Sequence, residues 1–280
     1  MLHGALDEAS EIRKSMNLTD LSAQLRADVI EMSHRAKAAH LASALSCVDI
    51  LGVLYGKVLK LEATQPTSPH RDRFILSKGH AAAALYAALA WKGIINRQDL
   101  NQYGKQGSLL EEHPSPKQLG VEAATGSLGH GLPIGNGMAL SCRITGQHFR
   151  VFVLLSDGEC NEGSVWEAAL FGARQQLNNL TAIIDYNKWQ ATGRSQEVLQ
   201  LDPLIDKWRA FGWDALEIDG HDHTMLEQEL NKHHPTRPRL LVAHTIKGKG
   251  VSFMEDDNNW HYRVPTGEEV TAAKKELGVL

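Results

Sequence analysis

The sequence predicts an α/β fold, a doubly wound and mostly parallel sheet flanked by helices. Residues 151–155 (VFVLL) form a continuous apolar run, typical of a parallel strand that is buried on both faces. A helical segment rich in small residues at 163–177 and a second apolar run at 180–185 (LTAIID) then complete a βαβ unit. The alternation continues with a strand at 215–218, a helix at 224–232 and a strand at 240–245. A repeating order of this kind is the pattern of doubly wound sheets.

The N-terminal part of the chain is predicted to be mainly helical. Apolar residues recur every three to four positions over 17–39, which indicates an amphipathic helix. A second helix is predicted over 45–59, followed by a proline-containing loop at 64–70. The segment RFILS at 73–77 then predicts a short buried strand.

The middle of the chain combines two helices with a long polar segment. The alanine-rich run 81–91 predicts a helix, and a glycine- and alanine-rich helix is expected over 129–143. Residues 102–125 between them are polar and too long for an ordinary connection, which is typical of a functional loop. Since no break in composition divides the chain, residues 1–280 are expected to form a single domain.

Composition excludes several classes of function. The 280 residues carry 29 Lys and Arg against 33 Asp and Glu, so the net charge is 29 − 33 = −4, without the clustered positive charge that nucleic acid binding needs. The longest apolar run is too short to cross a membrane, and the N-terminus lacks a signal pattern. The three cysteines, Cys47, Cys142 and Cys160, are odd in number and far apart, so reduced thiols are expected. These features favour a cytoplasmic location.

Two polar residues follow neighbouring predicted strands, where ligands bind in open α/β sheets. Asp157 and Asn187, with the backbone carbonyl of Trp189, would offer oxygen ligands to Mg²⁺ and leave positions for a diphosphate. Gly158 would let the chain pass close to that anion, and a helix beginning near Gly163 would direct amide groups toward it. For the pair alone, a simple Asp-Gly turn beside an unrelated asparagine is the favoured interpretation.

A longer string of residues distinguishes these interpretations. Residues 156–168 (SDGECNEGSVWEA), followed by DYNK at 185–188, resemble the thiamine diphosphate motif of the transketolase family, with Ser156 in place of the usual first glycine. The resemblance extends over most of the chain, through AAHLAS at 38–43, ILSKGH at 75–80, EHPSPKQLGVEAATGSLGHG at 112–131, HTIKGKG at 244–250 and the pair Trp260-His261. Five ordered matches make chance similarity an unsatisfactory explanation.

The resemblance implies that the chain binds thiamine diphosphate and Mg²⁺ or another divalent cation. The metal would be held by Asp157, Asn187 and the Trp189 carbonyl. The residues expected around the cofactor are His80, Gly126, Leu128, Gly158, Glu162, Asn187, Lys247 and His261. For Lys247 two interpretations are open, a contact to phosphate or a solvated turn.

Histidines are expected to carry the proton transfers. By resemblance, His40 and His113 face the sugar donor and His80 lies near the cofactor phosphates, so these three are the predicted catalytic residues. His261 departs in its surroundings, because Tyr262 follows it where the family usually has glycine, and the other histidines are expected to be structural or exposed. Two glutamates, Glu162 and Glu167, match acidic residues that link paired active sites across a dimer.

The resemblance also implies a reaction and a partner. In the transketolase family a glutamate that activates the cofactor lies in a pyrimidine-binding domain, and residues 1–280 end where that domain would begin. The chain thus resembles the N-terminal subunit of a split transketolase that forms a heterotetramer with a separate C-terminal subunit. The expected reaction moves a two-carbon glycolaldehyde unit from a ketose phosphate to an aldose phosphate, with the cofactor as the electron sink.

Three alternatives remain at the level of sequence. The first is another thiamine diphosphate enzyme, similar to deoxyxylulose phosphate synthase or a 2-oxo acid dehydrogenase component. The second is an NADP-dependent oxidoreductase, because residues 129–135 have GxGxxxG spacing, although no clear strand precedes them. The third is a cofactor-binding subunit without catalytic activity.

Overall fold

Five parallel strands form the sheet of this protein, whose computed structural model describes residues 16–280. Residues 1–15 lie outside the described residues. The expectations of a missing signal pattern and of the start of the domain concern these residues. The strands are β1 (Arg73–Leu76), β2 (Val151–Ser156), β3 (Leu180–Tyr186), β4 (Asp214–Asp219) and β5 (Arg239–His244). Their spatial order is β1-β2-β3-β5-β4. The predicted parallel sheet is confirmed, with each strand within one or two residues of its predicted bounds.

Side chains of the central strands alternate between two apolar layers. In β2, Phe152 and Leu154 pack into one buried cluster, whereas Val151, Val153 and Leu155 pack into another on the opposite face. Every residue of β2 and β3 is buried, as strands covered by helices on both faces require. The fold is therefore doubly wound.

Ten α-helices flank the sheet within residues 16–280. They are α1 (Leu18–Ala36), α2 (Leu41–Ser46), α3 (Val48–Val53), α4 (Ala82–Lys92), α5 (Gly131–Thr145), α6 (Gly163–Arg174), α7 (Ser195–Val198), α8 (Leu204–Ala210), α9 (His223–Asn231) and α10 (Gly267–Glu276). Helix α1 ends three residues before the predicted boundary, because Lys37 adopts a left-handed conformation with φ 56°. Among the described residues, every helix is too short or too polar to span a membrane.

The predicted helix over 45–59 is wrong in its bounds and its continuity. The segment starts earlier as α2, continues as α3, and ends in a π-helical turn, Leu54–Val58. At the junction, Ser46 Oγ lies 3.0 Å from the Ser43 carbonyl oxygen and 2.6 Å from Asp185 Oδ2, so its single hydroxyl hydrogen is shared between these two acceptors. A serine that bonds to its own backbone in this way competes with the helical hydrogen bonds.

Residues 77–130, all of them described, contain no strand. The long polar segment predicted at 102–125 is confirmed as turns and bends, with a 3₁₀ turn Arg97–Gln102 at its start. Helix α5 therefore begins after a loop rather than after a strand. This arrangement argues against the dinucleotide interpretation, which needs a strand directly ahead of the glycines.

Candidate functional site

A pocket of about 450 Å³ opens at the C-terminal ends of the central strands. It brings together residues from several widely separated segments of the chain. Eleven of the predicted site residues line it: His40, His80, His113, Gly126, Leu128, Asp157, Gly158, Glu162, Asn187, Trp189 and His261. Lys247 does not line the pocket, and Glu167 lies exposed on α6. The strand ends thus assemble nearly the whole predicted set in one place.

Asp157 lies at the floor of this pocket as a buried carboxylate. Its side chain is 0% exposed and accepts hydrogen bonds from the Gly158 and Lys188 amides, at 2.8 and 2.9 Å, and from the Ser195 hydroxyl at 2.7 Å. Burial raises the pKa of Asp157 to about 6. No lysine or arginine among residues 16–280 forms an ion pair with it. A buried carboxylate without a paired cation is suited to hold a metal ion.

Asn187 supplies the second oxygen that the sequence predicts. Its amide nitrogen lies 3.4 Å from both Ser46 Oγ and Asp185 Oδ2, and its carbonyl oxygen accepts from the Trp189 amide at 3.0 Å. The side chain is 3% exposed and lines the same pocket as Asp157. Residues 16–280 contain no group of three or more His, Cys, Asp or Glu side chains that could hold a metal. A cation here would need amide, backbone and phosphate or water oxygens, a donor set that fits Mg²⁺.

A buried ion pair lies beneath Asn187 and is not evident from the sequence. Lys78 is 0% exposed and donates to Asp185 and, at 2.8 Å, to the Ser43 carbonyl oxygen. Although burial favours the neutral amine, the Asp185 carboxylate raises the pKa of Lys78. Asp185 follows the apolar residues of β3 at a buried position. A charged residue at the end of an apolar run was the feature of the sequence that could have indicated a buried partner. Since Asp185 also contacts Asn187, the pair orients the predicted metal ligand.

Four histidines meet above this floor. The ring centre of His40 lies 5.4 Å from that of His80, 6.3 Å from that of His113 and 5.0 Å from that of His261. Burial is the main cause of a lowered pKa in three of these histidines. The pKa of His40 is lowered, that of His80 is well below its usual value, and that of His261 is lowered to about 3. These three imidazoles are therefore neutral near pH 7 and able both to accept and to donate a proton.

Backbone geometry explains two of the predicted glycines. Gly126 has φ +138°, and a Cβ atom there would lie 2.6 Å from His113 Cδ2. A Cβ atom on Gly158 would lie 3.0 Å from Gln190 Cγ. Ser156 has no positive φ, so serine is accommodated where the motif usually has glycine, and its hydroxyl accepts from the Glu159 amide at 3.2 Å.

Two buried polar atoms at the pocket have no partner. Asn161 Oδ1 and Gln190 Nε2 are both solvent-inaccessible and unpaired, and both residues line the pocket. Such groups are costly unless a ligand or water satisfies them. Asn161 lies within the motif at 156–168 but had no predicted role, and Gln190 lies outside it, since the isolation of both atoms depends on the folded loops. The orphaned donor on Gln190 fits an anionic ligand such as a diphosphate.

Lys247 lies behind the pocket wall rather than in solvent. It is 0% exposed, and its Nζ atom lies 2.6 Å from Asn258 Oδ1 and 3.0 Å from His261 Nδ1. Burial and the nearby Lys78 lower the pKa of Lys247 to about 8. The solvated-turn interpretation of Lys247 is therefore wrong, and the lysine contacts a pocket histidine.

The fold and the pocket together define a class of protein, an α/β domain that holds a phosphate-bearing cofactor at its strand ends. Comparison with known proteins identifies the family. Residues 18–280 match the family described as "Transketolase, thiamine diphosphate binding domain". The chain belongs to the transketolase family.

Relatives of similar length are named as single subunits of larger enzymes. The chain is 41% identical over 254 residues to one subunit of the apulose-4-phosphate transketolase of Phocaeicola vulgatus, covering 90% of each chain. It is 40% identical over 241 residues to "6-deoxy-6-sulfo-D-fructose transketolase subunit SqwG" of a Clostridium species, covering 85% of this chain and 88% of that one. The chain is thus similar, over nearly the whole of their length, to proteins that are named as subunits of transketolases.

Longer transketolases match over part of their length. The human transketolase is 39% identical over 256 residues, which cover 89% of this chain and 40% of that protein. The crystal structure of transketolase from Campylobacter jejuni superposes with a TM-score of 0.87 at 30% identity, covering 94% of this chain and 43% of that chain. The chain therefore spans about two fifths of these longer relatives.

Proposed function

We propose that this chain is the diphosphate-binding subunit of a split transketolase that uses thiamine diphosphate and Mg²⁺. It transfers a two-carbon glycolaldehyde unit from a ketose phosphate to an aldose phosphate, together with a separate subunit that carries the pyrimidine-binding domain. The observation that carries the proposal is the convergence of eleven motif residues on one pocket at the strand ends. We further propose that residues 1–280 form one cofactor-binding domain in the cytoplasm.

The floor of the pocket anchors the cofactor. Asp157, Asn187 and the Trp189 carbonyl would hold the cation, and the unpaired Gln190 amide would donate to a diphosphate oxygen. This arrangement keeps the charged groups remote from the bond changes. When bound, thiamine diphosphate supplies an electron sink for the broken carbon–carbon bond.

The histidines are placed to move protons at the sugar. His40 and His113 line the pocket, where they would hydrogen-bond donor hydroxyls, and the His80 ring lies close to that of His40. His40 is fixed by its backbone, whose amide donates to the His261 carbonyl oxygen at 2.6 Å. A neutral imidazole accepts the proton of a donor hydroxyl and returns it to the product, which is general acid–base catalysis.

The partner is proposed to complete the site. Two relatives are each named as one subunit of an apulose-4-phosphate transketolase, which implies a further subunit in those proteins. We infer the same for this chain, as a heterotetramer with two copies of each subunit. Glu162 lines the pocket and Glu167 is exposed on α6, so both are accessible to a second protomer. The glutamate that activates the cofactor would come from the companion.

The substrate class follows from the relatives in outline. Their names specify apulose 4-phosphate in one case and a 6-sulfo ketose in another, both with an anionic terminal group. We therefore propose a ketose donor with a terminal phosphate or similar anion. A panel of such ketoses, each offered with ribose 5-phosphate as acceptor, would identify the donor.

The test compares the purified chain with and without its companion subunit. Ketol transfer should be absent from the chain alone and appear when the companion, thiamine diphosphate and Mg²⁺ are added. Robust transfer by the isolated chain would refute the split arrangement. Calorimetric titration of the complex should show binding of thiamine diphosphate and none of NADPH, whereas the opposite result would favour the oxidoreductase alternative.

A further inference from the structure

A second buried charge cluster lies outside the pocket, centred on Asp49. This carboxylate is 4% exposed and accepts two hydrogen bonds from the Arg26 guanidinium, at 3.2 and 2.5 Å. His221 Nδ1 lies 2.7 Å from Oδ2, and His223 Nε2 lies 2.9 Å from Oδ1. Burial alone would raise the pKa of Asp49, but the hydrogen bonds from His221 and His223 and the charge of Arg26 hold it well below its usual value. Asp49 thus remains ionised and orients three basic side chains.

Two of these three side chains also bind the loop at residues 245–250. The Ile246 amide donates to His221 Nε2 at 2.9 Å, so the His221 proton must be on Nδ1, facing Asp49. Arg26 Nε donates to the Lys249 carbonyl oxygen at 2.8 Å. The loop is therefore held on both sides of Lys247 by groups that Asp49 fixes.

The loop is shaped for this close approach. Gly250 has φ +97°, and a Cβ atom there would lie 2.6 Å from Arg26 Cδ. The Gly248 amide, in turn, donates to the Ala42 carbonyl oxygen at 3.0 Å. Two glycines therefore allow the backbone to pack against Arg26 and α2 in one conformation.

Lys247 connects this loop to the pocket. Its buried ammonium group lies 3.0 Å from His261 Nδ1, and His261 lines the pocket wall. A shift of the loop backbone would displace the Lys247 amine and change the hydrogen bond to His261. The path from Asp49 to the pocket thus consists of consecutive polar contacts, through His221, the loop and Lys247.

We propose that Asp49, acting through His221 and Arg26, is a positioning residue that sets Lys247 and His261 at the cofactor pocket. The consequence for the cofactor rests on the proposed function, whereas the effect on the loop does not. His223 provides a matched control, because it also binds Asp49 but makes no hydrogen bond to the loop.

Hydrogen exchange of the full chain tests the effect on the loop. In His221→Ala, amides at residues 245–250 should exchange on the order of tenfold faster, since the Ile246 amide loses its acceptor. In His223→Ala they should exchange at the wild-type rate. Unchanged exchange in both variants, or equal acceleration in both, would overturn the proposal.

A second pair of variants keeps the test decisive if His221→Ala folds poorly. Glutamine at position 221 can place an oxygen near the Nε2 position and accept from the Ile246 amide, whereas asparagine can reach only Asp49. Protection of the loop should therefore return in His221→Gln and not in His221→Asn. The reverse order would contradict the assigned contacts.

The assembled complex with its companion subunit tests the consequence for the cofactor. His221→Ala should raise the KM for thiamine diphosphate on the order of tenfold with little change in kcat, as losses of supporting residues around a bound group do. His223→Ala should leave both constants unchanged. Equal effects of the two variants would assign Asp49 a merely structural role. If the wild-type complex binds no thiamine diphosphate, the proposed function fails, while the exchange result still stands.

Discussion

Replacement of Asp157 by asparagine tests the proposed metal site most sharply. The substitution keeps the size of the side chain and removes its charge. The carboxylate is completely buried and accepts three hydrogen bonds, from Gly158, Lys188 and Ser195. Asparagine can accept some of these bonds but not provide a negative charge to a cation.

The size of the effect follows from the burial of Asp157. Burial raises its pKa from 3.8 to about 6, so keeping the carboxylate ionised without a metal costs about 3 kcal/mol. The attraction between this charge and a bound cation is of at least the same order, because the same surroundings of low polarity strengthen it. Loss of the charge should therefore weaken Mg²⁺-dependent cofactor binding by about a hundredfold or more, since ~1.4 kcal/mol corresponds to a factor of ten.

The assay is calorimetric titration of thiamine diphosphate into the assembled complex at fixed Mg²⁺. Ser195→Ala is the control, because it removes one 2.7 Å hydrogen bond to Asp157 and leaves the carboxylate in place. That variant should lose about tenfold in affinity, which corresponds to ~1.5 kcal/mol, the lower end of the range for a single hydrogen bond to a charged group. Wild-type affinity in Asp157→Asn would refute the metal assignment and the reasoning from burial.

Three further perturbations have defined outcomes. Gly126→Ala should lower ketol transfer by the complex at least about tenfold, because the new methyl group would displace the His113 imidazole. The control Gly146→Ala, at a position with φ +69° and open space, should lower stability by about 1 kcal/mol and leave the activity unchanged. Equal activities of the two variants would contradict this prediction. The pKa of His261 is lowered to about 3 in the folded chain, so the fold loses stability as the pH falls below the unfolded value near 6.5. In urea titrations at pH 7 and pH 5, the decrease in the free energy of unfolding between these pH values should be about 2 kcal/mol smaller in His261→Asn than in the wild type. An identical decrease in both proteins would contradict the assignment. Lys78→Met leaves the buried Asp185 without its cation and should lower the free energy of unfolding by about 3 kcal/mol in the same assay, and a neutral result would show that the pair is dispensable.

The sequence was sufficient where a local pattern decides the structure. The apolar runs of β2 and β3 predict buried parallel strands because only both-sided burial favours such continuous hydrophobicity. The polar residues that follow these strands predict the position of the site, because ligands bind at the carboxyl ends of the strands in open α/β sheets. Motif resemblance then selects His40, His80, His113 and His261 from the histidines, and the structure brings their rings together.

Other features depend on contacts between distant segments. At the break after Ser46, its hydroxyl also contacts Asp185, far away in the sequence, and no local pattern predicts that contact. Helix α10 was not predicted, although the sequence contains its start signal. Thr266, the residue before the helix, forms a capping box with Glu269. The Asp49 cluster connects α1, α3 and the segment after β4. No periodic pattern in the sequence indicates contacts between such distant segments.

The central claim concerns where the cation and the diphosphate are held. A crystal of the complex with its companion, thiamine diphosphate and Mn²⁺ in place of Mg²⁺ would locate the metal by its anomalous signal. We expect one peak per chain within coordination distance of the Asp157 carboxylate, the Asn187 amide oxygen and the Trp189 carbonyl, about 2.1 Å from each by analogy with Mg²⁺. Cofactor density with the metal peak at any other position would contradict the account.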